Sequence, residues 1–163
     1  MIIHASKAFS THLKCQVSGP KRQVPHHSSL DSWSVDLFKL TKVGTYALVM
    51  NDASLSTIII PLKGVRKFED FFLSFIGHVT GFFDLHGVSF DPFNQSAIIL
   101  PRSNRSLIGT MNDAKWLMQS RIERHADGGL EIDWDDIENY LNHVPYSRID
   151  YDSPDKRLKK MIG

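Results

Sequence analysis

The sequence has little that could crosslink it, anchor it in a membrane or draw it to a charged partner. Cys15 is its only cysteine, so no internal disulfide can form, and no apolar run is long enough to span a bilayer. Lysine and arginine number 19 against 18 for aspartate and glutamate, a net charge of +1. This balance makes nucleic acid and an anionic membrane unlikely partners. Residues 1–14 lack the apolar core of a signal peptide, so we expect a cytoplasmic protein.

The common catalytic and cofactor motifs are missing as well. The glycine-rich nucleotide loops, the G-x-S-x-G elbow and the H-E-x-x-H zinc motif do not occur. Most of the eight histidines are isolated, and His26 and His27 form the only adjacent pair. A pair in a turn-rich loop is far from the full ligand set of a structural zinc site. We therefore expect no metal site and no cofactor.

Length and composition predict a single core, with charge distributed unevenly along the chain. A chain of 163 residues, 42% of them apolar and 23% charged, can bury one core of ordinary size. Residues 1–67 carry nine basic and three acidic side chains, whereas residues 126–152 carry one basic and eight acidic ones. We predict one α+β domain over residues 1–125. An acidic and then basic helical extension over residues 126–163 is expected to pack on it.

Short apolar runs separated by turn residues predict a small sheet. The runs lie at residues 1–4, 33–40, 46–50, 55–61 and 97–101. The turn sequence at 51–54 indicates an antiparallel hairpin, and a change of apolar parity at Phe38 indicates a bulge or a change of exposure. The predicted fold is α+β, an antiparallel meander sheet with an added N-terminal strand and helices packed on one face. The alternative is a mixed sheet in which the N-terminal strand is parallel to a neighbour.

Two long helices are predicted from apolar side chains at helical spacing. Residues 65–83 carry a stripe of phenylalanines, which is typical of a core-facing helix rather than a ligand pocket. Residues 106–124 have an apolar side that only Lys115 interrupts, while the opposite side carries few charges. Something is expected to cover part of that opposite side. A short amphipathic helix over residues 133–144, which Asp133 can cap, is one candidate cover.

The densest polar cluster is RSNRS at residues 102–106, between a predicted strand and the second long helix. Arginines beside a helix N-terminus can hold a phosphate or a carboxylate. Alternatively, Asn104 or Ser106 caps the helix while the arginines pair with the acidic residues 127–136. Further along the helix, Asn112 and Asp113 add polar groups, and Trp116 adds a flat apolar one. The candidate ligand-binding residues are Arg102, Asn104, Arg105, Ser106, Gly109, Asn112, Asp113 and Trp116.

The stretch NRSLIGTMND at residues 104–113 is similar to a motif of an uncharacterised family of small bacterial proteins, a domain of unknown function. Its members resemble one another in a Met-Ile-Ile start and an Asn-Arg-Ser-x-x-Gly-x-Met-Asn-Asp motif, and this sequence also begins Met-Ile-Ile. The resemblance includes the run at 33–38 and the hairpin at 49–61, and it covers about residues 1–122. It implies no particular activity, and it leaves the C-terminal segment as an added extension.

These features predict a cytoplasmic binding or regulatory module that engages a protein partner or a small anion through residues 102–116. The alternative is an enzyme acting on a phosphate-bearing substrate, a nucleotide or nucleic acid, with Asp113 or a histidine as general base. The two hypotheses differ in the shape that they require. An enzyme needs a cavity in which Arg105, Asn112, Asp113 and a histidine converge, whereas a binding module needs a flatter patch around Trp116.

Overall fold

The structure is a computed structural model, and it describes residues 1–18, 30–41, 43–91, 95–129 and 131–163. His26 and His27, together with most of the loop predicted around them, lie outside the described residues. The strands are β1 (Ile2–Ala5), β2 (Ser32–Leu40), β3 (Gly44–Asn51), β4 (Thr57–Pro61) and β5 (Ile98–Pro101). The helices are α1 (Lys7–Leu13), α2 (Phe68–Leu85), α3 (Arg105–Asp127), α4 (Trp134–His143) and α5 (Pro154–Ile162), and a 3-10 turn spans Ser147–Ile149.

The strands form one mixed sheet in the order β4-β3-β2-β1-β5. The predicted antiparallel meander is confirmed for β2, β3 and β4. The ladder between β2 and β3 runs unbroken from Trp33 opposite Asn51 to Leu40 opposite Gly44, so these strands contain no bulge. β1 lies between β2 and β5 and is parallel to both. The α+β class is therefore confirmed, and the N-terminal strand has the parallel arrangement that was the alternative.

Both faces of the sheet carry apolar side chains. In β3, Ala47 and Val49 belong to one buried cluster, while Leu48 and Met50 belong to another. A sheet that is apolar on both faces needs cover on both, so the expectation that the helices pack on one face was wrong. The parity change at Phe38 has the same cause, because its ring lies in the second cluster.

α1 and α2 cover the first face. Ser6 caps α1 by accepting a hydrogen bond from the Phe9 amide at 3.2 Å. Phe9 meets Phe71 of α2 edge to face, with ring centroids 4.8 Å apart. Phe71 and Phe75 have no exposed surface, which confirms that the phenylalanine stripe belongs to the core. Leu158 of α5 joins the same cluster.

α3 and α4 cover the second face. Leu107 and Met111 of α3 are fully buried against the sheet, and Ile137 of α4 packs in the same cluster. Residues 131–163 therefore supply core side chains to both faces of the sheet. The division of the chain after residue 125 stays a prediction, and α3 runs across that position.

Candidate functional site

The predicted site residues are divided between the turn after β5 and one side of α3. Asn104 caps α3, because its Oδ1 accepts a hydrogen bond from the Leu107 amide at 3.2 Å. Its backbone carbonyl accepts another from the Ile108 amide at 3.0 Å. Ser106 lies inside the first turn, where its carbonyl accepts a hydrogen bond from the Thr110 hydroxyl. Of the two residues considered as the cap, Asn104 is therefore the one that caps.

The polar side of α3 is open to solvent. Five of the exposed residues on this side are Arg105, Gly109, Asn112, Asp113 and Trp116, and we call these five residues the α3 flank. Their spacing of three and four residues arranges them along one side of the helix. Trp116 is 69% exposed. α4 packs on the sheet and on the apolar side of α3, so it is not the cover that the sequence suggested for this flank.

The two arginines of the predicted cluster have different surroundings. The side chain of Arg102 is only 12% exposed, and its Nη1 donates to Oδ2 of Asp36 at 2.9 Å. Arg105 is exposed and makes no ion pair within the described part of the chain. Neither arginine pairs with the acidic C-terminal segment there, as one interpretation required. Arg121 does so instead, through Asp136.

Asp36 holds together a largely buried cluster of charges beneath α3. Its Oδ2 accepts hydrogen bonds from Arg102 and, at 2.5 Å, from Lys115. Lys115 is the residue that interrupts the apolar side of α3, and this ion pair accounts for it. Burial raises the pKa of Asp36, but hydrogen bonds from Lys115 and Ser6 and the charges of Lys115 and Arg102 outweigh it and lower the pKa below its usual value. One carboxylate is thus paired with two cations, which leaves a net positive charge in this cluster.

A small cavity of about 120 Å³ opens beside this cluster. The residues that line it are His4, Ser34, Asp52, Arg102, Ser103 and Asn104. One carboxylate oxygen of Asp52 accepts from the Ser34 hydroxyl at 2.8 Å, and the other lies 3.4 Å from Nε2 of His4. Nothing in the sequence singles out His4 or Asp52. They come together only in the folded chain, through the register of β1 on β2. The one local signal for a polar site here was that Ser34 and Asp36 alternate with apolar residues along β2.

A larger cavity of about 450 Å³ lies where β1 and β5 end. These strands are parallel neighbours, and the chain leaves β1 into α1 on one face and β5 into α3 on the other. In sheets with parallel strands, ligands bind in the crevice outside the carboxyl ends at such a point. The polar residues lining this cavity are Lys7, Ser10, Thr11 and Arg102, beside Cys15 and the apolar Ala5, Val17 and Pro101.

The structure therefore brings the predicted site residues together only in part. Arg102 lines both cavities, and Asn104 lines the smaller one. Arg105, Asn112 and Asp113 line neither of these two cavities. They lie with Trp116 on the α3 flank, which has the flatter shape expected of a binding module.

The described residues contain neither a cluster of metal ligands nor a helix able to cross a membrane. Over those ranges, no group of three or more histidine, cysteine, aspartate or glutamate side chains could hold a metal ion. Nor does any helix among them combine the length and apolar character needed to cross a membrane.

Comparison with known proteins assigns the chain to a family. Residues 2–157 match the family described as Domain of unknown function (DUF6933). The match continues beyond residue 122, where the resemblance seen in the sequence ended, and takes in α4. No curated protein and no solved structure matches the chain. Because the family match extends over nearly the whole chain, the protein belongs to the DUF6933 family, a domain of unknown function.

Proposed function

We propose that this protein is a binding module for a small anion, a phosphate or carboxylate compound, held in the crevice at the carboxyl ends of β1 and β5. The observation that carries the proposal is the incomplete hydrogen bonding of the Arg102 guanidinium. Its Nη1 is fixed by Asp36 and also contacts Met111, whereas its Nε and Nη2 have no acceptor among the described residues. A guanidinium that is held at one nitrogen and open at the others can bind an oxyanion through two hydrogen bonds.

The charge around the crevice supports an anionic ligand. Asp36 supplies one negative charge for Arg102 and Lys115, and Lys7 adds a further cation to the wall of the larger cavity. Electrostatic attraction is stronger in partly buried surroundings than in bulk water. An oxyanion in this crevice would therefore offset positive charge that the protein itself leaves without a partner.

Thermal unfolding with and without inorganic phosphate tests this proposal. Phosphate should raise the Tm above that in sodium chloride of equal ionic strength, because a ligand of the folded state stabilises it. Arg102→Gln and Lys7→Ala should reduce this phosphate-dependent rise. Lys7 is exposed, so its variant keeps the test valid if Arg102→Gln folds poorly. Arg124→Ala, at an exposed site in the last turn of α3, is the control. A wild-type Tm that phosphate leaves unchanged would contradict the proposal.

Docking of a protein partner through the α3 flank is a second candidate function. The exposed indole of Trp116 supports it, because large exposed aromatic side chains are enriched at protein interfaces. Sedimentation at rising protein concentration tests a second copy of the chain as that partner. Self-association that Trp116→Ala abolishes and Leu85→Ala, another exposed apolar site, retains would support docking. A wild-type chain that stays monomeric would contradict docking of a second copy through this flank.

An enzyme acting on a phosphate-bearing substrate is a third candidate, supported by the smaller cavity. His4 lies beside Asp52 there and shares the cavity with Arg102, so an oriented imidazole and a guanidinium line one space. An imidazole beside a carboxylate can act as a general base. Wild-type turnover of p-nitrophenyl phosphate or of nucleotides that His4→Gln lowers at least about a hundredfold would support this function. No turnover by the wild type would contradict it.

A further inference from the structure

A second basic cavity adjoins the crevice on the far side of Cys15. Its volume is about 530 Å³, and Lys14, Arg66 and Lys67 supply its cations. Of the described residues that line it, Glu69 is the one carboxylate, and Leu13, Phe68 and Ile99 give it apolar walls. Cys15 lines both this cavity and the cavity of about 450 Å³ beside Arg102. Among the described residues, Cys15 is the one that lines both cavities, so the two adjoin there.

Among the described residues, four of the five cations that line these two cavities have no carboxylate partner. Lys7, Lys14, Arg66 and Lys67 make no ion pair with any described residue. Arg102, the remaining cation, is paired with Asp36. Cations that share a wall without carboxylate partners repel one another, and a bound anion relieves that repulsion.

The positions of the cations set the length of a ligand that could reach both cavities. Lys7 begins α1 and Lys14 caps its C-terminal end, so at 1.5 Å of rise per residue their backbones lie about 10 Å apart. Lys7 lines the cavity of Arg102, and Lys14 lines that of Arg66 and Lys67. Between the two charged ends, the walls include Cys15 and apolar side chains.

We propose that the ligand is an elongated molecule with an anionic group at each end and an apolar middle. One anionic group binds Arg102 and Lys7, and the other binds Arg66 and Lys67. The middle passes Cys15. This assignment rests on the proposed anion site at Arg102, and it adds the second end and the length of the ligand. The anionic groups are carboxylates or phosphates, which have the same hydrogen-bonding requirements here.

Binding of dicarboxylates of increasing length tests the assignment. Succinate, adipate, suberate and sebacate are titrated by calorimetry beside octanoate, which has the chain of suberate but one carboxylate. A second arm uses alkane bisphosphates, which separates the two kinds of end group. An affinity that rises with length and exceeds that of octanoate by at least about tenfold is expected, because joining two binding groups makes the second contact intramolecular.

Cys15 provides an independent readout of the same ligands. It is the only cysteine of the chain, so alkylation by iodoacetamide, followed by intact mass, reports on the junction of the two cavities. A dicarboxylate that spans both cavities should slow alkylation severalfold at a concentration at which octanoate has no effect. Unchanged alkylation in the presence of a saturating dicarboxylate would overturn the proposed path of the ligand.

Variants separate the failure of this inference from the failure of the anion site. A double variant, Arg66→Ala with Lys67→Ala, should remove the advantage of the long dicarboxylates and leave phosphate binding at Arg102 intact. Lys63→Ala, at an exposed site that lines neither cavity, is the control. If phosphate binds but dicarboxylates bind no better than octanoate, the two-ended ligand is wrong and the anion site stands. If no anion binds, both proposals fail.

Discussion

The side-chain amide of Asn142 pairs with both backbone polar groups of Thr57. Its Nδ2 donates to the Thr57 carbonyl and its Oδ1 accepts from the Thr57 amide, each at 2.8 Å. Thr57 lies on β4, an edge strand of the sheet, and Glu138 accepts from the Ile59 amide of the same strand at 2.9 Å. Two side chains of α4 thus take the place of a neighbouring strand. Covering an edge in this way protects it from pairing with other chains.

Replacing Asn142 by alanine should therefore destabilise the fold. The variant leaves the buried amide and carbonyl of Thr57 without these partners, and each such group costs about 1 to 3 kcal/mol. We expect the free energy of unfolding, measured with urea, to fall by about 2 to 4 kcal/mol. Asn139→Ala, at an exposed site on the same helix, should change it by less than about 0.5 kcal/mol. Equal effects of the two variants would rule out a structural role for the Asn142 amide.

Glu138 gives the stability of the protein a specific dependence on pH. Burial raises its pKa to about 7, against the lowering effect of the Ile59 amide and with a further increase from the charge of Asp135. A carboxyl group with a higher pKa in the folded chain binds its proton more tightly there. Its contribution to stability is therefore complete below the ordinary value of 4.5 and is lost as the pH rises through about 7.

Glu138→Gln removes this dependence while keeping an acceptor for the Ile59 amide. The variant should gain about 2 to 3 kcal/mol of stability relative to the wild type between about pH 5 and pH 8. Urea unfolding at several pH values measures the difference between the two proteins. Glu123→Gln, at an exposed position of α3, should give a difference that is flat with pH. A flat difference for Glu138→Gln as well would mean that the carboxylate is ionised at little cost.

The contribution of Asp36 to stability should depend on pH in the opposite direction to that of Glu138, and Asp36→Asn tests this. The variant leaves Arg102 and Lys115 without their carboxylate in a largely buried cluster, and losing one member of such a pair costs about 3 to 5 kcal/mol. Because the pKa of Asp36 is lowered in the folded chain, its contribution is present above the ordinary value and is lost as the pH falls through the folded one. Chemical unfolding at neutral and acidic pH checks both statements. Asp84→Asn, which is exposed, is the control.

Two neighbouring positions of α2 compare buried and exposed apolar side chains directly. Phe71 has no exposed surface, whereas Leu73 is 74% exposed. Phe71→Ala should lower the free energy of unfolding by about 3 to 5 kcal/mol, since it removes a buried ring and leaves a cavity. Leu73→Ala should lower it by less than about 0.5 kcal/mol. A similar cost at both positions would contradict the packing of α2 on the sheet.

Features that depend on neighbouring residues could be predicted from the sequence. The phenylalanine stripe identified α2, since the spacing of Phe71 and Phe75 follows the helical repeat. The capping of α4 by Asp133 was also readable, and its Oδ1 accepts from the Asp136 amide at 3.0 Å. The hairpin of β3 and β4 followed from the turn residues between them. In each case the determining side chains lie within a few residues of one another.

Features that depend on the pairing of distant strands could not be predicted. Arg102 and Asp36 are separated by 66 positions, and no local pattern links them. His4 meets Asp52 only because β1 is inserted between β2 and β5. Asp36 of β2 meets Lys115 of α3 across 79 positions of the chain. Ser34 and Asp36 alternate with apolar residues along β2, yet both are buried.

Titration of isotope-labelled protein with inorganic phosphate, followed through the arginine side-chain resonances by NMR, tests the anion site most directly. The account predicts a saturable shift of the Arg102 Nε–H resonance, because that group has no acceptor among the described residues. Arg121 is the internal control, since its Nε and Nη2 already donate to Asp136 at 2.9 and 3.0 Å. An Arg102 resonance that stays unchanged, or that moves only as much as that of Arg121, would contradict the account.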